Sequence, residues 1–390
     1  MVLLSPLLAF LFTSFSLGEI LRFKIVDAAS IGPLDIALLA IIVIWFLKVK
    51  KTNYRLKTPI IIFAILGLIS LLINVNKFSS HEILVSSLYL FRWIFYSLFY
   101  FVMVDIGRKY EKNISKLILS SGVIVMTFGF LQFFLYPSLK NLYYLGWDEH
   151  MYRLFSTYLD PNFTGVILVL FFVFVFIMRD KLFKNKWLGT GILCLTFISI
   201  ILTYSRGALL MFAACTLTYS IMQRNVKIVI GLILLMISVF VILSPRFYLE
   251  NNNLLRTVST KERLGTSEKA LQIFIKNPMG VGFDTYRYAR QKYGETDLSK
   301  FGPSHSGAGV DNSIIFVAVT TGILGLISYL YLLYSTFKLG LSKKNKYGLI
   351  LVISLAGLIV NSLFINSLFY SFVMVWMWSL AGLTESSSRE

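Results

Sequence analysis

The sequence predicts an all-α membrane protein with about twelve transmembrane helices and one large external loop between helices nine and ten. Hydrophobic residues make up 57% of the 390 residues and charged residues only 14%, whereas a typical soluble domain has about 25% charged residues. Apolar runs recur along the whole chain, and basic residues gather in alternate connections between them. This composition excludes a soluble enzyme and a disordered protein.

Twelve apolar runs approach the length that a membrane requires. A bilayer core about 30 Å thick needs roughly 20 apolar residues per helix, with about 17 as the practical lower limit. No Lys or Arg precedes the first run and no cleavage site of the A-x-A type follows it, so we predict a retained span and not a signal peptide. The twelve runs, assigned to a single membrane domain over 1–390, lie near residues 1–17, 34–49, 59–75, 83–105, 117–136, 162–178, 187–204, 207–223, 228–244, 313–336, 348–364 and 366–383.

Loop charge predicts the orientation of the spans. The connections after the even-numbered runs carry nineteen Lys and Arg residues, while the short connections after the odd-numbered runs carry six. Because positive residues mark the cytoplasmic side, both termini are predicted to be cytoplasmic and residues 245–312 to form the large external loop. The formal net charge of +18 therefore reflects membrane topology, and no single basic block indicates nucleic-acid binding.

The residues that usually bind metals are sparse. Cys194 and Cys215 both lie inside apolar runs, which leaves neither a disulfide framework nor a zinc site. Three histidines occur, and they form neither an HExxH motif nor a cluster. We expect no metal and no other cofactor.

Two arginines stand out because charge inside or at the edge of a bilayer is costly. Arg92 lies mid-span, roughly 13 Å from the outer end at about 1.5 Å per residue. It is predicted either to pair with a neighbouring helix or to bind an anion in a water-filled cavity. Arg206 lies where one span ends outside and the next begins with Gly207. It is either an ordinary interfacial arginine or, together with the free N–H groups of a helix start, a phosphate-binding residue.

A second short external connection carries several polar residues in the stretch RLFSTYLDPNFTG. Arg153 and Asn162 belong to it and are candidate substrate-binding residues. Asp160-Pro161-Asn162 is typical of a turn that opens a helix. We therefore interpret Asp160 as a structural helix cap.

The long external loop is predicted to contain its own helix. Residues 259–262 have capping-box spacing, and the next stretch, RLGTSEKALQIFIK, has near-helical apolar spacing. Asn277-Pro278 should end this helix. A flexible Gly-Val-Gly turn follows, and then a cluster of aromatic and basic residues in which Arg287 and Arg290 suit contacts with sugar and phosphate.

The polar stretch PSHSGAGVDNSII brings His305, Asp311 and Asn312 to the mouth of the tenth span. Asp311 has two open interpretations. It is the N-cap of the helix, or it is a base for a hydroxyl acceptor.

Four short motifs follow one another along the second half of the chain. They are SRGA at 205–208, an arginine-led helix ending in NPMGVGFDTY at 277–286, DNSII at 311–315, and TGILGL at 321–326. With twelve predicted spans and the long loop between spans nine and ten, this order resembles the O-antigen ligase and polymerase superfamily of bacterial membrane glycosyltransferases. The resemblance covers essentially the whole chain.

The resemblance implies an enzyme of the bacterial cytoplasmic membrane with its active site on the external face. Such enzymes take a glycan from undecaprenyl diphosphate and pass it to an acceptor hydroxyl, without a nucleotide sugar or a metal. Arg206 matches the arginine of SRGA, and Arg263 matches the arginine that leads the loop helix; both would hold the diphosphate, since arginine pairs bidentately with phosphate and keeps its charge. Membrane lipids, a chain-length regulator and a flippase are the further partners implied.

One position distinguishes two activities within the superfamily. Ligases that attach glycan to lipid A core resemble one another in a histidine directly before the asparagine, where this chain has Asp311 before Asn312. Polymerases of repeat units more often resemble the form seen here. His305 can replace the ligase histidine only if the loop folds back. We therefore predict a polymerase for O-antigen, capsule or exopolysaccharide, with Asp311 activating the acceptor or orienting the residue that does so, and a ligase as the alternative.

Two other classes of membrane protein agree less well with the sequence. Twelve spans are common among transporters, for example the flippase that moves a lipid-linked unit, but transporters of that size are usually built from repeated halves. The sequence shows no matching halves. A purely structural membrane protein leaves Arg92, Arg206 and Arg263 without an explanation.

Overall fold

The computed structural model describes residues 4–26, 29–47, 53–145, 147–243, 258–293, 309–343 and 345–387. Apart from short 3₁₀ turns, the regular structure of these residues consists of thirteen α-helices and one antiparallel pair of strands, β1 (Phe23–Val26) and β2 (Ala29–Ile31). The predicted all-α class is confirmed. In chain order the helices are α1 (Leu4–Leu17), α2 (Pro33–Phe46), α3 (Lys57–Ile73), α4 (Ser80–Leu135), α5 (Pro161–Leu182), α6 (Lys186–Leu202), α7 (Arg206–Gln223), α8 (Val226–Leu243), α9 (Val258–Lys276), α10 (Tyr286–Lys292), α11 (Ser313–Ser342), α12 (Lys346–Asn361) and α13 (Ser371–Ser386).

The described part of each predicted apolar run lies mainly on a helix, but the fourth and fifth runs share one. Helix α4 is 56 residues long and continues through 106–116, which the charge pattern had marked as a connection. Its middle and its end contact opposite ends of the bundle. The indole of Trp45, at the end of α2, donates to Asp105 (2.7 Å), whereas Gln132 accepts from the backbone N–H of Phe155, close to the start of α5 (2.8 Å).

Three helices among the described residues are long and apolar enough to cross a membrane by length and composition alone, namely α4, α5 and α11. Six further apolar helical segments are shorter: α1, α2, α3, α6, α12 and the first ten residues of α8. The length and hydropathy of the helices thus agree with a membrane protein. The count of twelve spans stays a prediction.

Polar contacts gather where α3 and α12 begin and α11 and α13 end, which we call the basic end. Glu385 of α13 accepts from the backbone N–H of Arg55 (3.3 Å) and from the hydroxyl of Tyr100. Asn345, the N-cap of α12, donates to the carbonyl oxygen of Thr384 (3.2 Å). The other end, where α5, α7, α11 and α13 begin, we call the site end.

Helix α13 lies at the centre of the bundle. Most of its residues are buried, and Trp376, 1% exposed, lies 5.9 Å from Phe15 of α1 and 6.1 Å from Phe174 of α5 between ring centroids. Burial of such large apolar side chains stabilises a helix against its neighbours through close packing. Packing around α13 therefore fixes the positions of the helix ends that form the site.

Helix α5 begins as its sequence predicts. Asp160 is the N-cap: its carboxylate accepts from the backbone N–H groups of Asn162 (2.6 Å) and Phe163 (3.3 Å). Pro161 occupies the first turn, where its missing N–H group costs nothing. The interpretation of Asp160 as a structural cap is confirmed.

Replacing this cap should lower stability without changing the fold. We expect Asp160→Ala to reduce the free energy of unfolding by about 1 kcal/mol, because two N–H groups lose their acceptor. Thermal unfolding of the purified protein in detergent measures the effect. The control is Asp180→Ala, an exposed carboxylate near the other end of α5, where removing negative charge from a helix C-terminus should be neutral or slightly stabilising. Equal melting temperatures for Asp160→Ala and the wild type would contradict the assignment.

The long loop docks into a break in α11. The helix is interrupted at Gly322, whose φ is +71°, and residues 278–282, which we call the docking segment, lie against the break. Three backbone hydrogen bonds of 3.0 Å join the two: Val281 N to Val319 O, Gly282 N to Thr320 O, and Ile323 N to Pro278 O. The motifs NPMGVGFDTY and TGILGL therefore contact each other directly.

Close approach of backbone to backbone explains the glycines in both motifs. A Cβ atom on Gly280 would lie 2.5 Å from the backbone nitrogen of Gly322, and one on Gly322 would lie 2.4 Å from the carbonyl carbon of Met279. Gly280 also has a positive φ of +84°. Only glycine meets both conditions at low cost. The predicted Gly-Val-Gly turn is a rigid contact, not a free hinge.

Candidate functional site

The connection between α12 and α13, residues 362–370, lies at the centre of the site end; we call it the central turn. It is bonded to the start of α11. The backbone N–H of Ser313 donates to Ser362 O (2.9 Å), the Ser313 hydroxyl accepts from Leu368 N (3.3 Å), and the Asn312 amide donates to Leu363 O (3.2 Å). The DNSII motif is therefore fixed against the central turn.

Arg206 lies on another side of the same region, as the first residue of α7. Ser205 caps this helix by accepting from Ala208 N (3.4 Å). Gly207 lies beside the last residue of α12, since a Cβ atom there would lie 3.1 Å from Nδ2 of Asn361. Arg206 is partly exposed, and the start of a helix adds partial positive charge. The SRGA motif thus presents a cation next to the end of α12.

Arg153 and Asn162 flank the corner that leads into α7. Arg153 is 4% exposed and donates through Nε to Thr203 O (2.8 Å) and through its terminal nitrogen to Asn162 Oδ1 (3.5 Å). Asn162 Oδ1 also accepts from the Ser205 hydroxyl (3.1 Å). The structure brings both predicted residues to the side of Arg206, where their contacts hold the corner in place.

Several polar atoms around the central turn are buried and have no hydrogen-bond partner among the described residues. A buried polar group without a partner is costly and rare in folded proteins. A concentration of such groups at one place indicates a polar ligand. The atoms are Oδ1 of Asn361, which ends α12 just before the turn, Oδ1 of Asn366, Oγ of Ser367 and the hydroxyl of Tyr370.

A cavity of about 150 Å³ adjoins the central turn. Four separate parts of the chain form its walls: the first turns of α4, the segment 284–288, the residues before α11, and the central turn. Its polar or charged walls include Tyr89, Asp284, Arg287, Tyr288 and Asn366. The cavity has room for several water molecules or for part of a sugar.

Asp284 is the carboxylate in this cavity. Its φ is +59°, a conformation that Asp and Asn adopt more readily than most residues. Burial raises the pKa of Asp284 to about 7, against the opposing influence of Arg287 and Arg92. The residue keeps some exposed area because its side chain faces the cavity. A carboxyl group that is half ionised near neutral pH is suited to accept a proton.

Arg92 has a structural partner. Its Nε lies 3.2 Å from Oδ1 of Asp35, and the guanidinium also donates to the carbonyl oxygen of Ser30. It lies 5.5 Å from the ring centroid of Tyr89, which lines the cavity. The pairing interpretation of Arg92 is thus realised in the structure, and its role in binding an anion stays a prediction.

The two arginines of the loop cluster differ in their surroundings. Arg287 lines the cavity. Arg290 is 2% exposed and lies over the ring of Tyr286, 5.8 Å from its centroid. Direct contact with substrate is therefore open to Arg287, whereas Arg290 lies behind the cavity wall and supports it.

Asn312, and not Asp311, caps α11. The Asn312 side chain accepts from Ile314 N (2.9 Å) and Ile315 N (3.0 Å). The interpretation of Asp311 as the N-cap is therefore wrong, because a helix has one such position and the amide of its neighbour fills it. Asp311 is partly exposed and lies two residues after Gly309, which lines the cavity.

Two predicted site residues, Arg263 and His305, lie partly or wholly outside the described part of the chain. Arg263 lies on α9, which ends at Lys276 as the Asn277-Pro278 signal predicts, but its side chain is outside the described part of the chain. His305 lies outside the described residues altogether. Among the residues that are described, no group of three or more His, Cys, Asp or Glu side chains is arranged to hold a metal ion.

Part of the chain matches a known protein family. The family model described as O-antigen ligase matches residues 191–330. This match confirms the predicted resemblance of the chain to the O-antigen ligase/polymerase superfamily. All four motifs of the predicted resemblance lie inside the matched segment, which runs from α6 into α11. A search of curated proteins finds no match to the chain.

The match indicates an activity of the O-antigen ligase/polymerase type. Members of the O-antigen ligase/polymerase superfamily are glycosyltransferase-like enzymes that act on lipid-linked polysaccharide substrates in membranes. The site end offers a cation at the start of a helix, which can pair with phosphate. It also offers polar atoms without partners, which can form hydrogen bonds with sugar hydroxyl groups.

Sequence reasoning found Arg206, Arg153, Asn162, Arg287 and Asn312, all of which lie at the site end. It missed Asp284 and the polar atoms of the central turn. Asp284 is the sole carboxylate in the motif NPMGVGFDTY, and this was the signal that could have identified it.

Proposed function

We propose that this protein polymerises lipid-linked oligosaccharide repeat units. A growing glycan is transferred from undecaprenyl diphosphate to a hydroxyl of the terminal sugar on another lipid-linked unit. The observation that carries this proposal is the identity of the residue directly before the capping residue Asn312. It is Asp311 in this chain, whereas ligases resemble one another in having a histidine at that position. Because the cap fixes Asn312 against the central turn, the residue before it has a defined place near the cavity.

Arg206 and Arg263 hold the diphosphate in this proposal. Charge grows on the leaving diphosphate as the glycosidic bond breaks, so a fixed cation stabilises the transition state more than the ground state. The position of Arg206 at the first residue of α7 supports this role. Arg153 and Asn162 then act through their contacts, by holding the corner from which Arg206 projects.

The acceptor side comprises the cavity and the residues before α11. Asp311 activates the acceptor hydroxyl or orients the group that does, while Arg287, His305 and Asn312 contact the substrate. The unsatisfied atoms of the central turn support a sugar ligand, since hydroxyl groups can both donate to and accept from them. Arg92 contributes charge from behind Tyr89, and Arg290 supports the wall.

The topology that we propose has twelve spans, both termini in the cytoplasm and the site on the external face of the bacterial cytoplasmic membrane. Residues 245–312 then form the large external loop. The division of polar contacts between a basic end and a site end supports this arrangement. The lysine- and arginine-rich connections after α2 and after α11 lead to the basic end, and such connections mark the cytoplasmic side. A chain-length regulator and a flippase are its proposed protein partners.

A ligase is the second candidate, and the description of the matching family as O-antigen ligase favours it. It uses the same donor and the same diphosphate-binding arginines. The acceptor differs, being lipid A core or another carrier instead of a lipid-linked unit.

The test is glycan transfer by the purified protein in detergent, with lipid-linked repeat units added as donor and with lipid-linked units and lipid A core offered as acceptors. A polymerase yields a ladder of longer lipid-linked chains and releases undecaprenyl diphosphate. A flippase yields neither product, because no membrane is present to cross. Transfer to lipid A core without any ladder would contradict the polymerase and identify the ligase.

A further inference from the structure

We propose that Asp284 is the residue that takes the proton from the attacking acceptor hydroxyl, with Asp311 as the neighbour that orients the acceptor. This inference rests on the proposed glycosyl transfer and deepens it by naming the proton acceptor. It requires a hydroxyl as the acceptor, and it holds for a sugar on a lipid-linked unit or on lipid A core alike.

The position of Asp284 in the cavity is the first support. Its carboxylate forms no hydrogen bond and no ion pair with the described residues, although the cavity that it lines is about 150 Å³ in volume. Asp284 and Asn366 face this volume from opposite parts of the chain. A carboxylate that no protein donor occupies is available to a donor on the ligand.

The charged and titratable groups around Asp284 come from two helices. Tyr89 and Arg92 approach it from α4, and Arg287 and Tyr288 from α10. Two cations near the carboxylate lower its proton affinity, but burial outweighs them and the pKa rises to about 7. At neutral pH a large share of the molecules therefore carries an ionised base of useful strength.

The backbone holds Asp284 in a defined position. The docking segment, which precedes it by one residue, is bonded to α11, and Thr285, which follows it, is buried and donates to Val281 O (2.8 Å). A functional side chain needs such support to keep its geometry. The contact between the NPMGVGFDTY and TGILGL motifs thus fixes the carboxylate as well as the loop.

The reaction balances without another reagent. The acceptor hydroxyl gives its proton to a carboxylate oxygen of Asp284 while its oxygen bonds to the anomeric carbon of the donor sugar. The bond between that carbon and the diphosphate oxygen breaks, and its electron pair leaves with undecaprenyl diphosphate. The proton then passes from Asp284 to solvent.

The decisive variants are Asp284→Asn and Asp284→Gly. Both tolerate a positive φ, so both should keep the backbone in place. A carboxyl group with a raised pKa destabilises the folded protein as the pH rises from about 4 to 7, and its removal should leave the melting temperature equal or higher at pH 7. A structural role predicts the opposite change in melting temperature.

The experiment measures glycan transfer by the purified full-length protein in detergent, with lipid-linked repeat units as donor. Lipid-linked units and lipid A core are offered as acceptors in parallel. Both variants should reduce transfer by about 10²–10⁴-fold, the usual contribution of a general base, while binding of the lipid-linked donor is retained. In the wild type, kcat/KM should rise as the pH passes through about 7; in Asp284→Asn this step should be absent.

The control is Glu82→Gln, which removes a carboxylate from the start of α4, the helix that carries Tyr89 and Arg92, and should leave transfer unchanged. Transfer by Asp284→Asn within tenfold of the wild type, or an unchanged pH profile, would overturn the assignment. Failures of the two proposals are distinct. Wild-type transfer to lipid A core alone would refute the polymerase while still testing Asp284 with the same variants. No transfer to either acceptor would overturn both.

Discussion

Arg206→Lys is expected to lose most of the glycan transfer that the wild type performs, and Arg206→Ala nearly all of it. A lysine keeps the charge but lacks the planar group that pairs with two phosphate oxygens at once. Removing one group that stabilises charge in a transition state typically lowers kcat by about 10²–10³-fold. Elongation of lipid-linked repeat units by the purified protein in detergent measures the loss.

Arg224→Lys is the matched control for this prediction. Arg224 is the exposed residue that ends the same helix α7 at its other terminus, so its replacement tests the general effect of exchanging arginine for lysine there. Full activity is expected. Wild-type transfer by both Arg206→Lys and the corresponding lysine variant of Arg263 would refute diphosphate binding by these arginines.

Gly322→Ala is expected to unfold the contact between the long loop and α11. The added Cβ atom would lie 2.4 Å from the carbonyl carbon of Met279, and neither backbone can yield while their hydrogen bonds persist. The backbone conformation of Gly322, with φ +71° and ψ −171°, belongs to a region that only glycine adopts readily and adds a cost of about 1–3 kcal/mol for a residue with a side chain, and overpacking adds about 1–3 kcal/mol. Thermal unfolding and protease cleavage of the loop in the purified protein measure the outcome, and transfer should be lost as well.

Gly191→Ala provides the comparison, since a Cβ atom on Gly191 of α6 meets nothing within 4 Å. Alanine is the better helix former, so this variant should be neutral or slightly stabilised. Wild-type melting temperature and protease resistance for Gly322→Ala would contradict the docking of the loop in the break of α11.

Much of the helical architecture was predictable. In a bilayer the backbone N–H and C=O groups of an apolar run must form hydrogen bonds within the chain, and a helix provides them. Asp160 and Pro161 marked the start of α5 correctly for the same local reasons that determine caps elsewhere. The continuous α4 was not predicted. Its charged stretch 106–116 looked like a connection, but five of its eleven residues are lysine, arginine or glutamate, which are good helix formers.

The candidate site was predicted in part. Arginines at the ends of apolar runs are conspicuous in a sequence, so Arg206 and Arg153 were found. Asp284 was not, because its cavity is formed by four segments that are distant in sequence. The central turn was visible only as an uncertain boundary near Asn366, since Asn and Ser in a turn are typical of caps and give no sign of buried atoms without partners.

The contact between Gly280 and Gly322 marks a further limit of sequence reasoning. A single Gly-x-Gly is weak support for any structure, and a lone glycine near the start of a span is common. Glycine is required at 280 and 322 because the two backbones lie in contact with each other. Such pairing depends on the tertiary fold and not on local pattern.

The most direct test of the polymerase assignment is the length distribution of the surface glycan, together with the lipid-linked pool, in cells that lack this protein. We predict an acceptor capped with a single repeat unit and no ladder of longer chains, because repeat units can no longer be joined. Polymer of normal length stranded on its lipid carrier would contradict the account and identify the protein as the ligase.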